Sequence, residues 1–284
     1  MRKVVVAVLT ALLGAFAGEA SAVDLGLPKE VHAKVQPPGR GLFRGSYLYA
    51  PPGAGPHPAL VLSHTCAGVR NHLFEAAERA LAAGFVVLTL DHLGPRGQRT
   101  TCPPTNPVSV TEYAQDAIAG LKHLRTLPFV DPRRIAHVGF SYGAMAGLRI
   151  ASASFRKQSL GGEGFAAVIA HYPWCNSRNP GGADYLYNFF DDTDTPLLLL
   201  LGADDDDTPP ATCVEQAEKN AKAGLPIEWK VYQGTTHLFD DSLLKDAPFS
   251  FQRGGRTITY RYNAQATQES WQAARDFLLR RLGP

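Results

Sequence analysis

Uninterrupted hydrophobic runs and amphipathic stretches alternate along most of this chain. Short apolar runs rich in Val, Ile and Leu predict buried strands, and longer stretches with apolar positions three or four residues apart predict helices. The predicted strands are residues 42–49, 59–63, 85–90, 135–138, 165–170, 196–201 and 227–232. The predicted helices are residues 73–83, 111–126, a segment beginning near Ala144, 212–223 and 267–282. Because few polar residues interrupt the strands, we expect an α/β fold with a mostly parallel sheet covered by helices on both faces.

The beginning of the chain has the pattern of a secretory signal peptide. Arg2 and Lys3 precede an uncharged apolar run over residues 4–17, which is followed by the small-residue sequence ASA that a signal peptidase recognises. The run is too short to span a bilayer comfortably, so we expect cleavage and no membrane attachment afterwards. We therefore predict a signal peptide over residues 1–22 and a single domain over residues 23–284, in the periplasm or secreted.

The charge of the chain is close to balanced. It has 28 Lys and Arg against 26 Asp and Glu, a formal net charge of +2. This balance argues against a polyanionic partner, so we expect neither nucleic acid nor a membrane surface to be bound.

Four cysteines form an even set in a chain expected to enter an oxidising compartment: Cys66, Cys102, Cys175 and Cys213. Disulfides are expected under those conditions, and buried free thiols are the alternative. Four cysteines allow three connectivities, which their spacing alone does not separate. Zinc is disfavoured, because the chain lacks a Cys-x-x-Cys pair or a histidine pair at ligand spacing.

A serine lies at a predicted corner between a strand and a helix. The strand 135–138 is followed by Gly139, Ser141 and Gly143, a G-x-S-x-G sequence, and then by small and apolar residues that predict a helix. Glycines at these positions let the helix approach the strand closely, and the serine can adopt a strained turn with its hydroxyl exposed. The helix N-terminus favours negative charge beside the serine. Ser141 is therefore a candidate nucleophile, although the same five-residue pattern also occurs in unrelated loops.

Acids and a histidine follow later strands. Four aspartates, residues 204–207, come after the strand 196–201, and His237 follows the strand 227–232. In open parallel sheets, ligands bind beyond the carboxyl ends of the strands. The chain order Ser141, Asp, His is that of α/β-hydrolases. The alternative for residues 204–207 is a solvated acidic loop or a cation site made of carboxylate oxygens.

Other histidines compete with His237 for the role of base. His64, His92 and His171 also follow strands, but all three precede the acidic run and break the expected order. We expect His64 to shape the loop after its strand. His137 lies within a strand, where packing or a core hydrogen bond is the expected role.

Several segments together resemble one enzyme family. They are GFSYG around Ser141, GADDDDTP from Gly202, GTTHLFD around His237, and SHTCAG with the later DHLGPRGQRTTC. The phrase VDPRRIAHVGFSYG and the ending YRYNAQATQESWQAARDFLLRRL add to them. In this order and spacing they resemble the dienelactone hydrolase family of α/β-hydrolases, specifically its exported serine-containing relatives, over nearly all of the mature chain.

The resemblance implies an α/β-hydrolase fold and three site residues. The nucleophile of the family corresponds to Ser141 and its histidine to His237. Its acid lies three residues after the loop glycine, which corresponds to Asp205, with Asp204 and Asp206 as near rivals.

The chain also departs from the family. The named dienelactone hydrolases use cysteine as nucleophile, so their substrate does not carry over to a chain with serine. Residues 64–68 read HTCAG where relatives commonly show His-Gly, which leaves the oxyanion-hole geometry less defined. The grouping of cysteines in the exported relatives implies pairs Cys66–Cys102 and Cys175–Cys213.

These expectations define a serine hydrolase that acts on a small-molecule carboxylic ester or lactone. His237 would take the proton of Ser141 while Asp205 holds the imidazole, and the backbone N–H groups of Tyr142 and Cys66 would bind the oxyanion. No metal or organic cofactor is needed for this chemistry. The alternatives are a peptidase of the same fold and a non-catalytic binding protein on a hydrolase scaffold. The sequence leaves the oligomeric state open.

Specificity is the least defined property. Segments 174–194 and 238–262 could form an aromatic wall over the site or could bury their aromatics in the ordinary way. The aromatic side chains concerned are Trp174, Tyr185, Tyr187, Phe189, Phe190 and Phe249. Arg96 could meet an anionic substrate, but a structural salt bridge is the expected role.

Overall fold

A seven-stranded sheet forms the centre of the molecule. The computed structural model describes residues 45–175 and 191–283. The strands are β1 (Tyr47–Tyr49), β2 (His57–Ser63), β3 (Val86–Leu90), β4 (Val130–Phe140), β5 (Ala167–His171), β6 (Leu197–Gly202) and β7 (Ile227–Tyr232). Their spatial order is β1-β3-β2-β4-β5-β6-β7. Only β1 is antiparallel to its neighbour within this sheet, so the sheet is mostly parallel.

Helices cover both faces of the sheet. They are α1 (Asn71–Ala82), α2 (Val110–Leu124), α3 (Tyr142–Ala151), α4 (Ala153–Ser159), α5 (Ala211–Lys222) and α6 (Ala264–Leu282). Successive strand residues point to opposite faces. Accordingly Val61 packs in the core with α2, α3 and α5, whereas Leu60 and Leu62 pack in a second core with α1 and α6. This three-layer arrangement confirms the predicted α/β-hydrolase architecture. Among the described residues, every helix is too short or too polar to cross a membrane.

Local signals fix where the helices begin. The Ser109 side chain accepts a hydrogen bond from the Glu112 backbone N–H, and the Glu112 carboxylate accepts one from the Ser109 N–H, which forms a capping box at the start of α2. The side chain of Asn263 caps α6 in a similar way by accepting from Ala266 N–H. These caps satisfy N–H groups that a helix start leaves unpaired.

Most predicted elements are present, although β4 extends well beyond the predicted residues 135–138 and two further strands were missed. No strand was predicted within residues 238–262, but β8 (Phe249–Arg253) and β9 (Arg256–Tyr260) form an antiparallel hairpin there. Its turn is Gly254–Gly255, with both glycines at positive φ, which is typical of a two-residue hairpin. The hairpin was missed because most of its side chains are exposed and polar. The predicted signal peptide and the first residues of the strand 42–49 lie outside the described residues.

Candidate active site

Ser141 occupies the sharp turn between β4 and α3. Its backbone has φ +51° and ψ −109°, a strained conformation for a non-glycine residue. The turn needs both flanking glycines. A Cβ on Gly139 would lie 2.2 Å from the Gly143 carbonyl oxygen, and one on Gly143 would lie 2.3 Å from the Ser63 carbonyl oxygen. The small residues of this motif therefore let α3 begin directly against β2 and β4, with the serine at the carboxyl edge of the sheet.

Three side chains from different strand ends form one hydrogen-bonded chain. His237, from the loop after β7, has Nε2 3.0 Å from Ser141 Oγ. Its Nδ1 lies 2.7 Å from Oδ2 of Asp205, in the loop after β6. A carboxylate only accepts, so Nδ1 carries the proton and Nε2 is free to accept the serine proton. The residues are 96 and 32 positions apart in sequence, and the parallel sheet brings them together.

The four consecutive aspartates have different environments. Asp205 is buried, and its Oδ1 accepts backbone N–H groups of Asp207 at 2.9 Å and Thr208 at 2.8 Å. Asp206 is exposed and accepts from Arg256 Nη2 at 3.0 Å. Asp207 accepts hydrogen bonds from Arg253 and from the Tyr260 hydroxyl. Only Asp205 of these three accepts from the imidazole Nδ1. Within the part of the chain that the structure describes, no group of three His, Cys, Asp or Glu side chains is arranged to hold a metal ion.

The pKa of His237 is set by two opposing effects. Burial lowers it, but the charge and hydrogen bond of Asp205, together with the charges of Asp207 and Asp240, outweigh burial and raise the pKa above its ordinary value. The rings of Tyr172 and Tyr260 pack against the imidazole, with centroids 4.6 Å and 5.2 Å away. The imidazole is therefore fixed in place and strongly basic for a buried histidine.

Thr208 is a site residue that sequence reasoning missed. Its Oγ1 lies 2.8 Å from Asp205 Oδ2, 3.1 Å from His237 Nδ1 and 3.1 Å from the carbonyl oxygen of Tyr172. Thr208 therefore links Asp205, His237 and the loop after β5. The only sequence signal was its position three residues after Asp205, which is a common spacing for a local side-chain hydrogen bond to a backbone N–H.

The loop after β2 is held against the start of α3. Gly143 N–H donates to the His64 carbonyl oxygen at 3.1 Å. His64 Nε2 accepts from the His92 backbone N–H at 3.1 Å, so its proton lies on Nδ1, which is 2.6 Å from the Thr65 carbonyl oxygen. In a trans peptide the C=O and N–H point in opposite directions. Holding the Thr65 carbonyl toward the buried imidazole therefore turns the Cys66 N–H away from it.

A buried polar network lies beneath this loop. His92 Nδ1 donates to Asp116 Oδ2 at 2.9 Å, which leaves His92 Nε2 to accept from Ser63 Oγ at 3.0 Å. Since the Ser63 proton is used there, His137 Nε2 donates to Ser63 Oγ at 2.9 Å. Arg96 donates to both oxygens of Asp116, at 2.7 and 2.9 Å. Arg96 thus forms a structural ion pair, and His137 makes a core hydrogen bond, as expected from the sequence.

All four cysteines are paired. Cys66 bonds to Cys102 and Cys175 bonds to Cys213, the pairing that the family resemblance implies. The first bond joins the loop after β2 to the segment before α2. The second joins the loop after β5 to the first turn of α5. Two disulfides are compatible with a secreted or periplasmic protein.

Only some of the aromatic residues expected to line the site belong to the described part of the chain. Tyr185, Tyr187, Phe189 and Phe190 lie outside them. Phe249 is exposed on the hairpin, where its ring stacks on Phe251 at 5.6 Å. Tyr260, which was not predicted as a site residue, is the hairpin aromatic that contacts His237.

Comparison with known proteins identifies relatives of the chain. The profile of the dienelactone hydrolase family matches residues 44–282. A Synechocystis sp. protein named "Putative carboxymethylenebutenolidase" is 24% identical over 253 residues, which cover 83% of this chain and 91% of that protein.

Solved structures share the fold. Esterase 2 of Thermogutta terrifontis, phosphorylated by paraoxon, has a TM-score of 0.60 at 19% identity over 84% of this chain and 90% of its own. An alpha/beta hydrolase enzyme from a Medee basin deep-sea metagenome library has a TM-score of 0.62 at 15% identity over 88% and 98%. With the family match over nearly all described residues, the chain belongs to the dienelactone hydrolase family of α/β-hydrolases and is a carboxylic ester hydrolase.

Proposed function

We propose that this protein is a serine hydrolase that cleaves a carboxylic ester or lactone through an acyl-enzyme on Ser141. The observation that carries the proposal is the hydrogen-bonded chain from Ser141 Oγ through His237 to the buried Asp205, with contacts of 3.0 and 2.7 Å. A serine hydroxyl is a weak nucleophile by itself, and a base at hydrogen-bond distance activates it.

In acylation, Ser141 Oγ attacks the ester carbonyl carbon while its proton moves to His237 Nε2. Asp205 accepts the Nδ1–H bond throughout, which holds the imidazole in the reactive tautomer and stabilises the imidazolium that forms. The imidazolium then gives its proton to the leaving alcohol oxygen as the carbon–oxygen bond breaks.

Two backbone N–H groups are proposed to bind the developing oxyanion, those of Tyr142 and Cys66. Tyr142 opens α3 directly after the nucleophile, where the helix N-terminus favours negative charge. The Cys66 N–H is turned away from His64 by the hydrogen bond to the Thr65 carbonyl. Backbone donors of this kind need no reorganisation during the reaction, and loss of one typically costs about 100- to 1000-fold in rate.

The named relatives support the proposal. The Synechocystis relative is named "Putative carboxymethylenebutenolidase", and the Thermogutta structure is that of an esterase phosphorylated by paraoxon. We propose the same chemical classes for this chain, without metal or organic cofactor. We also propose a periplasmic or secreted location, which the two disulfides support. In this proposal residues 1–22 are removed as a signal peptide and residues 23–284 act as one domain.

Covalent labelling tests the nucleophile. A fluorophosphonate probe should label the wild-type protein on Ser141, and Ser141→Ala should lose both the label and ester hydrolysis by about 10⁴-fold or more in kcat. Hydrolysis should survive EDTA. Peptide mapping of the labelled protein identifies the modified residue.

A substrate panel separates the alternatives. p-Nitrophenyl esters, simple lactones and aminoacyl amides are compared by kcat/KM, and we expect the esters or lactones to be preferred. A preference for the amides would assign the protein to the peptidases instead. Absence of both labelling and turnover in a folded protein would indicate a binding protein and refute the proposal.

A further inference from the structure

A second carboxylate lies near the same imidazole as Asp205, at the other ring nitrogen. Asp207 Oδ2 lies 4.0 Å from His237 Nε2, the nitrogen that exchanges a proton with Ser141. The side chain of Asp207 is only 10% exposed, so this carboxylate is not a solvated surface group. The acylation step described above gives it no role.

The β8–β9 hairpin holds this carboxylate in place. Arg253 donates to Asp207 Oδ1, and the hydroxyl of Tyr260 donates to Asp207 Oδ2. Burial and the Asp207 charge raise the pKa of Tyr260 above its ordinary value, so the phenol stays protonated and remains a donor. The Tyr260 ring also packs on His237. Asp207 and the imidazole therefore keep a fixed separation.

The separation suits one water molecule. A water donates hydrogen bonds to acceptors at about 2.8 Å, so one water reaches two acceptors that lie 4.0 Å apart. In an acyl-enzyme, the Ser141 oxygen has no proton to donate, and the neutral His237 Nε2 becomes an open acceptor. The Asp207 carboxylate is also only an acceptor. Two acceptors side by side match water, which donates twice, and not an alcohol, which donates once.

We propose that Asp207 is a further catalytic residue, which binds the hydrolytic water of the deacylation step together with His237. The inference rests on the proposed acyl-enzyme. The water gives one proton to His237 Nε2 and donates its other hydrogen to Asp207 Oδ2, while its oxygen attacks the acyl carbon. The bond from that carbon to Ser141 Oγ then breaks, and Oγ takes the proton from His237. The products are the carboxylic acid and the free serine.

The test compares acylation with deacylation in Asp207→Asn. With a p-nitrophenyl ester, kcat/KM reports acylation, and rapid-quench mass spectrometry follows loss of the acyl group from Ser141. We expect deacylation to slow by about 10- to 100-fold, the worth of one hydrogen bond to a charged group. At pH values above the limb of the pH profile, where His237 is neutral in both proteins, we expect kcat/KM to stay within about twofold of wild type. The acyl-enzyme should therefore accumulate. Tyr260→Phe, which removes one support of the carboxylate, should slow the same step less.

Asp206→Asn is the matched control. Asp206 is the neighbouring residue and pairs with the same hairpin through Arg256, but its side chain is 59% exposed. It should deacylate like wild type. Unchanged deacylation in Asp207→Asn would overturn the inference. So would a fall in its kcat/KM as large as the fall in its deacylation rate, or an equally slow deacylation in Asp206→Asn. Fluorophosphonate labelling of Asp207→Asn should persist. Failure of wild type to label would instead refute the acyl-enzyme itself.

Discussion

The pKa of His237 results from two opposing effects on its imidazole, burial and nearby carboxylates. Complete burial disfavours the charged imidazolium, whereas the carboxylates of Asp205, Asp207 and Asp240 favour it, and the carboxylates prevail to raise the pKa. The other groups near the imidazole are the neutral phenols of Tyr172 and Tyr260, whose rings pack on it, and Arg253, which pairs with Asp207. Only the neutral imidazole can accept the serine proton. His237 is therefore protonated, and unable to act as the proposed base, over a wider acidic range than an ordinary histidine.

This gives a prediction for the pH profile of the enzyme. With an uncharged p-nitrophenyl ester, kcat/KM should rise with pH along a limb whose apparent pKa lies above the ordinary histidine value of 6.5. Removing a carboxylate from the imidazole lowers its pKa, so Asp207→Asn should move the limb to lower pH and Asp206→Asn should leave it in place. A wild-type limb below 6.5 would contradict this account of the site.

At the residue scale, the sequence identified some of the candidate site residues better than others. Ser141 and His237 could be proposed because each follows a strand in a distinctive local context. The four aspartates carry the same charge in the same loop, so only the family resemblance favoured Asp205. What distinguishes Asp205 in the structure is that it accepts N–H groups of its own loop, which turns its side chain inward. No sequence pattern encodes that direction, and the role of Thr208 was missed for the same reason.

At the scale of elements, the loop after β2 depends on two tethers. One is the neutral His64 imidazole, whose pKa is lowered mainly by burial, so that Nδ1–H keeps its bond to the Thr65 carbonyl. The other is the disulfide from Cys66 to Cys102, which closes a sequence separation of 36 residues. Both act on the peptide between Thr65 and Cys66, which is the proposed oxyanion donor.

Removal of that disulfide should therefore affect catalysis as well as stability. The double variant Cys66→Ser with Cys102→Ser should lose about 2–4 kcal/mol of unfolding free energy. It should also show a lower kcat with little change in KM, because the donor peptide loses a restraint. Cys175→Ser with Cys213→Ser, which opens a similar separation of 38 residues, is the comparison. It should lose similar stability in urea unfolding but less kcat, and an equal fall in kcat would contradict the assignment.

The elements differ in how well the sequence predicts them. β6 (Leu197–Gly202) is entirely buried, and its unbroken leucine run predicted it almost to its limits. The hairpin strand β8 is mostly exposed, so burial left no pattern of apolar residues in it. The signal that remained was the Gly-Gly pair between alternating residues, which is a weak indication without the facing strand.

The molecule as a whole buries several histidines in neutral form. Burial is the main cause of a lowered pKa for His64, His92, His137 and His171, and it brings the last two to about 3 and about 4. Their ring nitrogens serve as fixed donors and acceptors within the core. Because the pKa values of these buried imidazoles are lowered, the folded protein takes up fewer protons on mild acidification than the unfolded chain does.

Stability should consequently fall on mild acidification. As the pH falls through about 6.5, the unfolded chain takes up more protons at these four histidines than the folded protein does, because the pKa of each is lowered in the folded state, so stability decreases. His237, whose pKa is raised, contributes a pH dependence of stability with the opposite sign, but it is a single group, and four histidines have lowered pKa values. Calorimetry should show a Tm that drops on this acidification, with net proton uptake on unfolding. A constant Tm would contradict the assignment of neutral core histidines.

The acidic loop has one further consequence, which concerns its length. Asp205, Asp206 and Asp207 are chemically identical, yet each serves a separate partner: the imidazole Nδ1, Arg256, and the Arg253–Tyr260 pair. Counted from the end of β6, deleting one aspartate would keep carboxylates at the positions of Asp205 and Asp206 but would put a threonine where Asp207 meets the hairpin. A change in the length of this tract should therefore disturb these pairings more than replacing the exposed Asp206 with another polar residue.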